Sequence, residues 1–221
     1  MKERKEISTA HIVGSQVLQV CHNLRSPLSQ FVTASIIGSQ LTEDNPDLKR
    51  LFDIMSNAAH LFADTVNIME RRVAYEETIA PERLDLVAFL KQQMLFFEFD
   101  ERMRYKTKST LKANPETIEV EMIPSDVLLV LSNIIYLFLD RVTHAQHSTL
   151  DMEFTTDNSG LTLHFVQRCE WESVPSEPFS NVWNSLFDHL EAVLRLNSIT
   201  LEASESEARE VEVFFRAPKC A

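Results

Sequence analysis

Residues 13–31 read VGSQVLQVCHNLRSPLSQF, and this stretch decides the fold of the first third of the chain. Its apolar residues recur every three or four positions, which predicts a single stripe along a helix: Val13, Val17, Val20, Leu24, Leu28 and Phe31. His22 lies two positions from both Val20 and Leu24, so a helix places it off the stripe and toward solvent. Pro27 lacks a backbone donor and costs about 3 kcal/mol inside a helix, so its presence calls for an explanation.

A second apolar stripe follows with the same spacing, formed by Leu48, Leu51, Met55, Ala58, Phe62, Val66, Met69 and Val73. Between the stripes, residues 42–46 form a short polar turn, and Pro46 and Asp47 are typical first residues of a helix. The pattern therefore predicts an antiparallel helical hairpin. Because two long amphipathic helices cannot bury both stripes alone, we expect a homodimer that forms a four-helix bundle.

The pattern changes near residues 78–81, where Pro81 interrupts the helical spacing. Apolar stretches predict helices at 84–99, 125–142 and 183–196. Alternating residues predict strands at 102–108, 118–122, 150–154, 161–166, 200–203 and 211–216. The predicted fold class is α+β: a helical hairpin over residues 1–78, then an α/β sandwich over residues 79–221 with helices on one face of a mixed sheet.

Composition excludes several classes of function. The formal net charge of −12 argues against a nucleic-acid partner, because the phosphate backbone would be repelled. No apolar run reaches 18 residues, which argues against a membrane span. The charged start, Met1 to Ser8, has no apolar signal core behind it, so we expect a soluble cytoplasmic protein. Cys21, Cys169 and Cys220 are scattered and indicate neither a disulfide framework nor a zinc site.

Glycine is the most informative count. Only Gly14, Gly38 and Gly160 occur, and no two of them lie near each other. Loops that cradle phosphate need closely spaced glycines, so that the backbone can approach the anion and adopt positive φ. The sequence therefore contains no Walker, Rossmann or kinase-type glycine-rich loop.

Residues 21–28, Cys-His-Asn-Leu-Arg-Ser-Pro-Leu, closely resemble the H-box of bacterial sensor histidine kinases, midway along the first helix of a hairpin. The resemblance implies that His22 is the phosphoacceptor. It assigns Asn23 to favouring one tautomer of that ring, although Asn23 cannot accept a proton as the family's usual acidic residue could. Ser26, one turn beyond His22, is the position that can orient a hydrolytic water, and Arg25 and Pro27 are structural at the site.

The second half resembles the nucleotide-binding domain of that family in the order of its elements, but its motifs are degenerate. The family's Asn-x-x-x-Asn-Ala helix has Asn133 here, with Leu137 at the magnesium-binding position. The family's Asp-x-Gly-x-Gly corresponds to residues 168–172, Arg-Cys-Glu-Trp-Glu, and the second glycine-rich segment to residues 179–184. Leucine cannot ligate magnesium, and Glu170 and Glu172 would repel phosphates. We expect no ATP-dependent kinase activity and no bound cofactor.

Three functions fit this resemblance. The leading one is a histidine phosphotransferase that relays phosphoryl groups between response regulator receiver domains through His22, with magnesium supplied by the receiver. The first alternative is a pseudokinase adaptor that binds receivers or a kinase without carrying phosphate. The second is a phosphatase toward a phosphorylated receiver, with Ser26 placing the water.

Two other groups of residues invite a site. His144 and His147 have the spacing of helical metal ligands, but no third ligand is in view, so polar residues at a helix end are the favoured interpretation. Arg102, Arg104, Lys106 and Lys108 alternate on an acidic protein. We interpret them as the solvated face of a strand, with docking of an acidic partner as the alternative.

Overall fold

The computed structural model describes residues 24–42, 44–157, 160–173, 178–206 and 210–218. The chain divides into two compact units, Met1–Glu77 and Thr78–Ala221. Within the described residues, no helix is long and apolar enough to cross a membrane.

The first unit contains two antiparallel helices. Helix α1 is described from residue 24 to residue 41, and α2 spans Pro46–Glu77. The turn between them closes with a hydrogen bond from the Asn45 amide to the Thr42 carbonyl (2.9 Å), and the Asn45 side chain accepts one from the Leu48 amide (3.2 Å). This side chain satisfies one of the free donors at the start of α2, where Pro46 also favours a helical start.

The seam between the two helices is narrow. On α2 the fully buried residues are Ala59, Val66 and Val73, which repeat every seven positions and so lie on one line. Gly38 of α1 faces Phe52 of α2, and a Cβ at Gly38 would overlap the Phe52 ring. The absence of a side chain at Gly38 therefore sets the close approach of the helices near the turn.

The second unit is built around a five-stranded mixed sheet in the order β2-β4-β5-β7-β6. Strands β2 (Thr107–Ala113) and β4 (Ala145–Thr156) pair in parallel. Strands β5 (Leu161–Trp171), β6 (Thr200–Glu205) and β7 (Val211–Ala217) complete it with antiparallel pairs. Strands β1 (Glu82–Asp85) and β3 (Glu119–Met122) form a separate antiparallel pair.

Three helices accompany the sheet: α3 (Leu86–Phe97), α4 (Pro124–Val142) and α5 (Phe179–Leu196). Burial alternates along β7 and along the first part of β5, so one face of the sheet is covered and the other is partly open. On the covered face Phe138 of α4 packs on Phe165 of β5, with ring centroids 5.9 Å apart. The predicted helical pair followed by an α/β domain with a mixed sheet is confirmed.

Several predicted bounds were wrong by a few residues, and one predicted strand was wrong in kind. The helix predicted at 84–99 begins at Leu86, because Asp85 ends β1 and its carboxylate accepts from the amides of Val87 and Ala88 (3.1 and 3.3 Å). The strand predicted at 102–108 is a π-helical turn over Arg102–Lys106, and β2 begins only at Thr107.

The local cause of that turn is Asp100. Its carboxylate accepts from the backbone amide of Arg102 (2.9 Å), and its carbonyl accepts from the amide of Arg104 (2.9 Å). These bonds hold the backbone in a helical path, which the alternation of basic residues does not reveal.

Candidate functional site

The segment that resembles an H-box lies only partly within the described residues. His22 and Asn23 fall outside them, so their assigned roles stay predictions. Arg25, Ser26 and Pro27 lie in α1, and all three are exposed to solvent. Leu24 and Leu28 are half-buried, as the predicted stripe requires, whereas Phe31 keeps 43% of its surface exposed in the single chain.

Arg25 connects this segment to the second helix. Its guanidinium forms an ion pair with the Glu70 carboxylate and donates a hydrogen bond to Asn67 Oδ1 (3.2 Å). The side chain of Glu70 is only 18% exposed, against 59% for Arg25. Asn67 and Glu70 are three residues apart on α2 and therefore share a face that receives the guanidinium. The resemblance assigns Arg25 a structural role, but the sequence does not indicate which residues it contacts.

The position that resembles the family's magnesium ligand holds an apolar side chain. Leu137 is one of the buried residues of α4 and is 6% exposed. Asn133, which matches the first asparagine of the motif, donates from Nδ2 to the Leu129 carbonyl of its own helix (2.8 Å). The Leu137 side chain has no oxygen to offer a metal, so this position of α4 lacks the ligand that the family's second asparagine gives.

An arginine at the end of α4 contacts the end of β5 and the start of α5. From the sequence we interpret these three segments as counterparts of the nucleotide-binding motifs of the resembled family. Arg141, near the end of α4, lies over the rings of Trp171 at the end of β5 and Phe179 at the start of α5, 5.1 and 5.3 Å from the centroids. It also forms an ion pair with Glu205 (3.1 Å). Trp183 stacks on Phe179 with centroids 6.1 Å apart.

This Arg141 cluster (Arg141, Trp171, Phe179, Trp183 and Glu205) has a buried centre, whereas Trp171 is half-buried and Glu205 is exposed. Arg141, Phe179 and Trp183 are each at most 9% exposed. A guanidinium over two aromatic rings is held by packing and by cation–π attraction, and this attraction is strongest when water is excluded. Arg141 was not among the site residues predicted from the sequence. An arginine one turn after Leu137 in an almost entirely apolar helix was the available signal.

Where the resembled family has a glycine-rich loop, this chain has the end of β5, which is paired with β4. His147 pairs with Glu170 and Ala145 with Trp171 in the ladder between β4 and β5. The amides of Glu172 and Ser173 then both donate to the His144 carbonyl (3.0 and 3.1 Å). These two backbone amides are thus used inside the protein rather than presented to an anion.

The basic residues at 102–108 do not form the solvated strand face that the sequence predicted. Arg102 forms ion pairs with Asp100 (2.7 Å) and Asp140 (3.0 Å), so the pKa of Arg102 lies above its usual range. The hydrogen bond from Arg102 in turn lowers the pKa of Asp100. The Lys106 ammonium donates to the Ala145 carbonyl (3.0 Å). Local partners therefore account for both side chains.

An open groove of about 560 Å³ lies beside this turn, lined by residues of the turn, β2, β4 and β5. It contains Lys106, Lys108 and Arg168, but Glu170 also lines it. Arg168 is itself paired with Asp151 (2.9 Å) and Glu210 (2.8 Å). The carboxylates of Asp151, Glu210 and Glu170 thus offset much of the positive charge in the groove, which is therefore a weak candidate for an anion site.

The two histidines with metal-ligand spacing are not brought together on a helix. His144 follows α4 and its Nδ1 lies 3.4 Å from Ser173 Oγ, whereas His147 is an exposed residue of β4. In the described ranges, no group of three or more His, Cys, Asp or Glu side chains could hold a metal ion.

No protein-family model matches the chain, and no curated protein does. Among solved structures, the nucleotide-free catalytic domain of histidine kinase ThkA has a TM-score of 0.51 and 12% identity, over 63% of this chain and 97% of that one. The histidine kinase domain of the blue-light-activated kinase EL346 from Erythrobacter litoralis has a TM-score of 0.50 and 12% identity, over 88% of this chain and 96% of that one. The chain therefore has the fold of a histidine kinase transmitter core, a helical pair followed by an ATPase-type α/β domain.

Proposed function

We propose that this protein is a histidine phosphotransferase of a two-component phosphorelay, which passes phosphoryl groups between receiver aspartates through His22 without using ATP. The observation that carries the proposal is a contrast within one chain. The H-box-like segment keeps His22, Arg25 and Pro27, whereas the nucleotide-binding motifs of the same fold are replaced.

The Arg141 cluster supports the loss of nucleotide binding. Trp171 and Phe179 hold Arg141 between the segments where a kinase has its glycine-rich motifs. Opening this space for a nucleotide would separate a buried cation from both rings and from Glu205, which is costly in a desolvated setting. Together with Leu137 and the carboxylates of Glu170 and Glu172, it argues against autophosphorylation from ATP.

Transfer from a receiver requires little of this protein beyond an exposed and oriented imidazole. An unprotonated ring nitrogen of His22 attacks the aspartyl phosphate, the P–O bond to the aspartate breaks, and a P–N bond forms. The other ring nitrogen keeps its proton, and Asn23 is the side chain we assign to that tautomer. The receiver contributes magnesium and its own acidic residues, so positioning and charge stabilisation account for the catalysis.

The apolar surface of the helical hairpin supports a homodimer. In the single chain α2 exposes Leu51, Ile54 and Leu61 by 52, 58 and 69%, and their spacing puts them on one face. Helix α1 exposes Ile37 and Leu41 by 49 and 81%. A soluble protein rarely leaves so continuous an apolar surface open, and a second hairpin of the same kind would cover it as a four-helix bundle.

Phosphoryl transfer from labelled receivers tests the proposal. Purified receiver domains carrying ³²P-aspartyl phosphate would be mixed with wild-type protein, with His22→Gln and with His60→Gln. His60 is an exposed histidine of α2 whose Nδ1 lies 2.7 Å from the Ser56 carbonyl, so it controls for non-specific labelling. Acid-labile label should appear on wild type and His60→Gln and be absent from His22→Gln.

Two other outcomes would replace the proposal. Tight receiver binding without any label on the protein would indicate an adaptor. Release of inorganic phosphate that depends on Ser26 would indicate a phosphatase, which the exposure of Ser26 in α1 permits. Calorimetry with Mg-ATP completes the test, because micromolar binding would contradict the account of the second unit.

A further inference from the structure

The outer edge of strand β2 is open. β2 (Thr107–Ala113) lies at one end of the five-stranded sheet and has β4 as its neighbour. Within the described residues, no backbone hydrogen bond joins β2 to any other strand or to a loop. An edge strand presents a row of N–H and C=O groups that can pair with one further strand.

The two edges of this sheet carry opposite charges. β2 contains Lys108 and Lys112 and no acidic residue, and the turn that leads into it adds three basic residues and no acidic one. Strand β6, at the opposite edge, contains Glu202 and Glu205 and no basic residue. Because the whole chain has 33 acidic and 21 basic residues, the β2 edge differs in sign from the protein that carries it.

The ammonium groups of Lys108 and Lys112 are available to a partner. Both lysines are exposed, and among the described residues neither side chain forms an ion pair or a hydrogen bond. In the register with β4, Lys108 lies opposite Thr149 and Lys112 lies opposite Glu153. The two lysines are four positions apart, so the alternation of a strand puts both on the same face of the sheet.

Protection of the edge does not account for all of these features. Lysines on an edge strand keep a sheet from pairing with other sheets, and the same charges attract a strand of opposite charge. The groove of about 560 Å³ described above begins at the same end of β2 and is lined by residues 105–108. Tyr105 is 70% exposed, and tyrosine is enriched at protein–protein interfaces. An added strand can therefore place side chains in a preformed space as well as pair its backbone.

We propose that the β2 edge binds an extended acidic segment of a partner protein, which adds a further strand to the sheet. Main-chain hydrogen bonds hold the segment, and carboxylates four positions apart along it lie beside Lys108 and Lys112. Because successive side chains of a strand alternate between faces, acidic residues at every second position satisfy this arrangement. The docking does not depend on the proposed phosphotransferase function.

The test measures binding of a fluorescent peptide to the full chain by anisotropy. The peptide alternates threonine and glutamate and is as long as β2. One control peptide has the same sequence with every second amide N-methylated, which keeps the charge but removes donors that a sheet needs. The other control alternates threonine and lysine. Wild type should bind the first peptide and neither control.

Charge reversal tests the two lysines. The double variant Lys108→Glu with Lys112→Glu should weaken binding by about tenfold or more, because two attractive pairs become repulsive. Lys91→Glu, at an exposed lysine of α3, is the matched control and should bind as wild type does. Hydrogen exchange of wild type should show that the peptide protects amides of β2 and leaves those of β6 unchanged. This readout decides the question if the double variant does not fold.

Four results would overturn the proposal. They are no binding by wild type, equal binding of the N-methylated peptide, equal weakening by Lys91→Glu, and exchange of the β2 amides that the peptide does not slow. Wild-type assemblies larger than a dimer that Lys108→Glu dissolves would also reject a partner segment, because the β6 edge of a second copy would then be the occupant.

Discussion

Replacing Arg141 by alanine should destabilise the second unit far more than replacing an exposed arginine. Arg141 is 8% exposed and lies 5.1 Å from the Trp171 centroid and 5.3 Å from the Phe179 centroid. Each ring contact is taken at about 1 kcal/mol, below the value for a fully desolvated pair, because Trp171 is only half-buried. The ion pair with Glu205, whose side chain is one-quarter exposed, adds about 1 kcal/mol. Arg141→Ala should therefore lower the free energy of unfolding by about 3 kcal/mol.

Urea unfolding followed by tryptophan fluorescence is the matched assay. The chain has two tryptophans, Trp171 and Trp183, and both belong to the Arg141 cluster, so the signal reports this region. With a slope of about 2 kcal/mol per molar urea, the midpoint should fall by about 1.5 M. Arg195→Ala is the control, because Arg195 is 81% exposed and forms its ion pair along α5, with Glu191.

The control should lose about 0.5 kcal/mol or less. If Arg141→Ala and Arg195→Ala shift the midpoint equally, the cluster does not hold the three segments together. The packing of Arg141 against those segments would then no longer be evidence against nucleotide binding.

Three further predictions concern the two units. Gly38→Ala should destabilise the hairpin by about 1 kcal/mol, because overpacking against Phe52 outweighs the gain in helix propensity. A urea titration followed by circular dichroism measures this change, and a more stable variant would contradict the close packing of Gly38 on Phe52. Asp85→Ala should lower the free energy of unfolding of the second unit by about 1–2 kcal/mol through loss of the cap of α3, and no change would exclude that cap. Wild type should scatter light as twice the 25.4 kDa chain mass and Leu61→Glu as a smaller species, whereas Asp64→Lys on the same helix should stay dimeric; a wild-type monomer at micromolar concentration would refute the dimer.

Much of the fold follows from periodicity. The start of α2 at Pro46 and the hairpin of β4 and β5 depend on short-range signals, a helix-starting proline and alternating apolar residues beside a turn. The turn at Arg102–Lys106 did not follow, because the side chain and carbonyl of Asp100 override the alternation of basic residues. A local hydrogen bond from the Arg102 amide to the Asp100 carboxylate thus favours a turn in a segment that side-chain pattern alone assigns to a strand.

The candidate site divides in the same way. The H-box-like segment is contiguous, so its eight residues could be read together from the sequence. The Arg141 cluster could not be predicted, because its members come from α4, β5, α5 and β6 and meet only in the folded unit. The partners of Arg25 are also distant in sequence, at positions 67 and 70, and no local spacing indicates which residue of α2 faces it.

The central claim is relay through His22 without ATP, and a reconstituted transfer between two receivers measures it most directly. One receiver domain carries ³²P-aspartyl phosphate, the second is unphosphorylated, and no nucleotide is present. Label should reach the second receiver when wild-type protein is added and should not reach it with His22→Gln. This variant should keep the fold and the dimer, because the apolar stripe predicts that position 22 faces solvent, where substitutions change stability by about 0.5 kcal/mol or less. Equal transfer to the second receiver with wild type and with His22→Gln would contradict the account.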